Sequence, residues 1–149
     1  LWRDLGIQLR GYVKQLAWLQ APVDPPKGSS EDAPRQSRAQ RMGEDAELRL
    51  PELEDGFHII TALMEVGPVS YAGMDLAPIS WPEIAAWQQA TRCPFRPHEL
   101  QLLRSLSAAY LEQYRLSKSD ACPSPDIVRP EGGEQAKRLA AHIKGVLRG

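Results

Sequence analysis

The stretch that most constrains the fold is SWPEIAAWQQATRCPFRPHELQLLRSLSAAYLEQY, residues 80–114. It reads as two helices with a proline-containing joint. Ser80 precedes Trp81-Pro82-Glu83, so its hydroxyl can accept from the Glu83 N–H while the Glu83 carboxylate reaches back to the Ser80 N–H, a capping box. Pro82 falls in the first turn, where its missing N–H matters little. Ile84, Trp87 and Thr91 line one stripe, with Trp81, Ala85 and Gln88 beside it, and the helix ends before Pro94. Pro97 opens the second helix, whose broad apolar face carries Leu100, Leu102, Leu103, Leu106, Tyr110, Leu111 and Tyr114. Such a pair can enter a DNA groove, offer a face to a protein, or close a core.

The surroundings are also helical. Residues 1–20 repeat apolar positions at helical spacing (Trp2, Leu5, Leu9, Tyr12, Val13, Leu16, Leu19), which predicts an N-terminal amphipathic helix. Gly6 and Gly11 each weaken it by roughly 1 kcal/mol relative to Ala, so it needs a partner surface. Pro22, Pro25 and Pro26 end it. Residues 21–50 lack periodicity and are rich in Pro, Ser and charge, the composition of a mostly flexible linker, with room for a short helix near residues 43–50. A helical domain follows over 51–149. Leu53, Phe57, Ile60, Leu63 and Met64 form a helix face that stops at Gly67-Pro68. Residues 68–79 read as a loop with unusual apolar content. A last helix is expected near residues 131–147, and no strand run stands out. The class read from this pattern is all-α, with about five helices: a compact helical core with an N-terminal helix joined by a flexible linker.

Composition narrows the function. Net charge is −1, with eleven acids against five bases over 21–79 and five bases against three acids over 80–118. That is too little positive charge for a phosphate footprint. The second helix also carries Leu100, Leu102, Leu103 and Leu106 where a recognition helix needs polar side chains, and the TRCPFRP joint is long for a helix–turn–helix. There is no apolar run of membrane-spanning length and no continuous apolar leader segment. His58, His98 and His142 fall on separate expected helices, and Cys93 and Cys122 lack metal-ligand spacing, so no metal, cofactor or catalytic site is expected. The two thiols suit a reducing compartment.

The residues GMDLAPISWPEIAAWQQAT and RPHELQLLRSLSAAYLEQY resemble the small tail-assembly proteins of long-tailed bacteriophages and prophages. The matching pattern is Gly73, Met74, Pro78, Ser80, Trp81, Glu83, Ile84, Trp87, Glu99, Leu103, Leu106, Ser107 and Tyr110, within residues 60–115. Arg96 and His98 depart from it, standing where the family has a Ser or Thr cap and an aromatic. The resemblance implies a non-enzymatic tail assembly chaperone. Its partner would be the tape-measure protein, and in assembly also the tail tube protein, in the host cytoplasm. A start at Leu1 rather than Met agrees equally with a frameshift product and with a trimmed chain. Tyr71, Met74, Trp81, Trp87, Tyr110 and Tyr114 are the expected partner-binding residues, since aromatics and Met suit apolar helix-in-groove contacts. Trp81 and Trp87 have a second reading, as filler between the two helices. The alternative function is a small DNA-binding regulator of helix-turn-helix type.

Overall fold

The computed structural model describes residues 2–125 and Gly145. The chain runs α1 (Trp2–Gln20), α2 (Arg38–Met42), α3 (Phe57–Val66), β1 (Ser70–Ala72), β2 (Asp75–Ala77), α4 (Trp81–Thr91) and α5 (Pro97–Leu116). The helix expected near 131–147, with His142, lies outside the described residues.

Helix α1 is the centre of the core. Leu9, Tyr12, Val13, Leu16 and Ala17 are buried against Leu103, Leu106, Ala109 and Tyr110 of α5 and Ile59, Ile60 and Leu63 of α3. Contacts between α1 and α5 advance together along both helices. Trp2 meets His98 edge-on with ring centroids 4.5 Å apart, Arg10 reaches Ser105 at 3.4 Å, and Tyr110 donates to the Gln20 side chain. The two helices are therefore parallel, and their C-termini end side by side. At the start of α3, Gly56 has φ +84°, a backbone conformation that favours glycine, and a Cβ there would press on the Leu5 side chain, 2.9 Å from Cδ1.

Parallel helices place two negative dipole ends together. Arg38, only 7% exposed, sits between them. Its guanidinium donates to the Trp18 carbonyl (3.2 Å), the Ser117 carbonyl (2.8 Å) and the Ser119 carbonyl (2.8 Å), and lies 4.5 Å over the Trp18 ring. Burial pulls its pKa below the ordinary arginine value, while Cys122 and Asp120 act the other way. Arg38 begins α2, a single turn closed by a capping box between Ser37 and Gln40.

This arrangement changes the expected linker. Within 21–50, Ala21, Val23, Ser37, Arg38 and Leu48 are buried. The Val23 N–H donates to Gln36 O, and the Asp24 N–H to Lys118 O, so the base of the segment is fastened to the core. Residues 24–36 are mostly exposed. The short helix expected near 43–50 lies instead at 38–42, because Ser37 supplies the cap and Gly43, at φ +86°, ends the turn. The N-terminal helix is likewise not an appendage. It supplies much of the buried core.

The all-α expectation also needs correction. The described residues are mostly helical, but 70–77 form a two-stranded antiparallel hairpin pairing Ser70 with Ala77 and Ala72 with Asp75. Its two-residue loop begins with Gly73 at φ +67°, a conformation that favours Gly in tight hairpins.

Two stability predictions follow from the core. Arg38→Ala should lower unfolding free energy by about 3 kcal/mol, because three carbonyls lose a charged donor; urea unfolding within ~0.5 kcal/mol of wild type would contradict the staple. The Tyr12 hydroxyl is fully buried and has no hydrogen-bond partner among the described residues, and burial raises its pKa. Tyr12→Phe should therefore be neutral or stabilise by about 1 kcal/mol in the same assay, and a clear loss would show that the hydroxyl has a partner.

Candidate functional site: the hairpin and helix α4

The hairpin is held at its base by one hydroxyl. Ser107, fully buried on α5, accepts from the Ile79 N–H (2.9 Å) and donates to the Pro68 carbonyl (2.7 Å), so it fixes both ends of the excursion. Arg115, two turns further along α5, donates to the Leu76 carbonyl at 2.8 Å and lies 3.5 Å from Asp75. The tip is thus presented on fixed backbone. Tyr71 is 77% exposed and Met74 wholly so.

Helix α4 begins as its sequence predicts. The Glu83 N–H reaches Ser80 Oγ at 3.4 Å, and the Ser80 N–H donates to Glu83 Oε2 at 2.8 Å. Ser70 of β1 donates to the other carboxylate oxygen at 2.7 Å, which ties hairpin and helix together. These bonds hold Glu83 below its ordinary value of 4.5, the Ser80 backbone N–H first among them and Ser70 next. Only Ile84 of α4 is buried. The helix ends at Arg92, whose φ of +54° is the one positive value at a non-glycine residue described.

Helix α5 starts with half of a capping box. The Arg96 N–H donates to Glu99 Oε1 at 3.2 Å, but Arg96 has no side-chain acceptor to offer in return. Glu99 also meets His58 of α3 at 3.0 Å. The departure from a Ser or Thr cap therefore leaves the helix start intact.

The six expected partner-binding residues do not form one cluster. Trp81 is 48% exposed, with the Arg104 guanidinium 5.6 Å from its ring centroid. Trp87 is half-buried; it packs on Phe95 at 5.6 Å and donates from Nε1 to Glu65 at 3.2 Å. Tyr110 is 3% exposed and stacks on Tyr114 at 5.9 Å. It is a core residue and is withdrawn from the surface set, because α1 covers it. Tyr114 is half-buried, and its pKa is raised by burial and then by the nearby Tyr71 phenol. The accessible set is Tyr71, Met74 and Trp81. Exposed residues outside the expected set include Leu116 at the end of α5 and Pro82, Ala85, Ala86, Gln89 and Ala90 on the outer face of α4.

Among the described residues, no group of three or more His, Cys, Asp and Glu is placed to hold a metal ion, and no helix is long and apolar enough to cross a membrane. Comparison with known proteins gives no matching family, curated protein or solved structure.

The cap makes a signed pH prediction. Because the folded-state pKa of Glu83 is depressed, its stabilisation is present above the ordinary value and is lost as pH falls through the folded value. Ser80→Ala should cost about 1 kcal/mol near neutral pH. Glu83→Gln should destabilise near neutrality, with its difference from wild type shrinking as pH falls below the ordinary value of 4.5. Thermal melts in which that difference stays constant with pH would contradict the assignment.

Proposed function

We propose that this chain is a tail assembly chaperone-like module that binds an apolar helical partner, the tape-measure protein, in the host cytoplasm and helps tail tube assembly. The observation that carries the reading is the exposure of Tyr71, Met74 and Trp81 on backbone fastened by Ser107, Arg115 and the Ser80–Glu83 cap. Because their backbone is already fastened, these side chains add little backbone ordering cost on binding. They suit a long helical partner that exposes apolar stripes of its own. Many weak copies along such a partner would add up through multivalency. The resemblance over residues 60–115 supports the same role.

The helix–turn–helix regulator has less behind it. Leu103 and Leu106, in the first half of α5, are buried in the core, so that face cannot meet base edges.

Co-expression with a tape-measure candidate should raise that partner's soluble fraction. Combined replacement of Tyr71, Met74 and Trp81 by Ser should remove most of the gain, since loss of an aromatic anchor costs about 2 kcal/mol or more. Raising salt from about 50 to 500 mM should weaken the complex only slightly, whereas a phosphate-driven DNA complex would lose orders of magnitude. A tight, salt-sensitive shift of duplex DNA with no effect on partner solubility would overturn the reading.

A further inference from the structure

The outward face of α4 has an unusual composition for a helix in water. Trp81, Pro82, Ala85, Ala86, Gln89 and Ala90 are all exposed, and none is charged. The one acidic residue of the helix, Glu83, is engaged by its own cap and by Ser70. Depletion of charged residues and the presence of an aromatic distinguish the cores of protein interfaces from ordinary surface. The alanines let a second helix approach closely, and α4's eleven residues offer a track about 16 Å long.

Arginines lie near both ends of this track, and the exposed Glu83 carboxylate is the one anion on the helix. Arg104 lies against Trp81 near the N-terminal end. Arg92 caps the C-terminal end, and Arg96 follows in the joint to α5; both are exposed. Among the described residues, the ion pairs engage Arg35, Arg41, His58 and Arg115, leaving Arg92, Arg96 and Arg104 without a carboxylate partner. A charge-free strip with unpaired arginines at both ends complements an amphipathic helix whose apolar stripe is bordered by carboxylates.

Building on the partner-binding reading above, we infer that α4 is a docking track for an apolar helix flanked by Asp or Glu. Trp81 and the alanines receive the stripe, and Arg92, Arg96 and Arg104 receive the acids. Rim charges of this kind chiefly set partner choice and association rate. The track therefore selects among apolar helices that the hairpin tip alone would not distinguish.

The test uses the full chain and two labelled synthetic helical peptides with the same Leu/Ala stripe, one bordered by Glu and one by Lys. Fluorescence anisotropy should show the Glu peptide binding at least ~10-fold tighter at about 50 mM salt, with the preference shrinking at about 500 mM. Ala86→Glu should weaken the Glu peptide by ~10-fold without moving the melting temperature, because the site is exposed. Arg92→Gln combined with Arg104→Gln should narrow the preference between the peptides. Equal binding of the two peptides, or indifference to Ala86→Glu, would overturn the inference. Indifference to Ala86→Glu with loss of binding in Met74→Ser would overturn it while leaving the hairpin-based function standing. Dimerisation of the chain abolished by Ala86→Glu would assign the track to a second copy instead. Salt-sensitive duplex DNA binding lost in the Arg92→Gln, Arg104→Gln variant, with neither peptide bound, would overturn both readings.

Discussion

Where α1 and α5 end, two sets of helix carbonyls without intrahelical donors face the same small volume. Parallel packing brings them there, and each end carries partial negative charge. Arg38 resolves the conflict by donating to the Trp18, Ser117 and Ser119 carbonyls while stacking on the Trp18 ring. Trp18 in turn donates from Nε1 to the Cys122 carbonyl at 2.9 Å, so the chain beyond α5 is tied to the same point. Without a cation there, the parallel pairing would leave three carbonyls without their charged donor, at a cost of about 3 kcal/mol.

That pairing determines what the rest of the chain can do. With α1 covering one side of α5, Tyr110 becomes core and cannot anchor a partner. The other connections of α5, through Ser107 and Arg115, hold the hairpin, while α4 is attached through Ile84, its cap and Trp87, which packs on Phe95 and bonds to Glu65. The most exposed apolar side chains of this region are therefore carried by elements with little burial of their own. Such elements can accept a partner without disturbing the α1–α5 core.

Much of the helical fold was legible locally. Periodicity marked α1, α3 and α5, and the Ser80–Glu83 pair marked the start of α4. The hairpin was not legible because its strands are three residues long, too short for alternation to show, although Gly73 was a turn signal in view. Arg38 was hidden in a polar, proline-rich run whose composition matches a solvated linker. Its Ser37-x-x-Gln40 cap was the available clue, but its role depends on helix ends 20 and 79 residues away in sequence. No local pattern records that α1 and α5 run parallel. For the candidate site, residue type indicated which side chains could bind a partner, but only tertiary packing separated exposed Tyr71, Met74 and Trp81 from buried Tyr110.

In the proposed function, a partner docks on the hairpin and α4 and leaves the α1–α5 core unchanged. Amide hydrogen exchange on the full chain, with and without a soluble tape-measure candidate, tests it most directly. Exchange should slow across residues 70–77 and 81–91 and stay unchanged in the middle of α1. Protection confined to α1, or no change at the hairpin and α4 in a demonstrated complex, would contradict it.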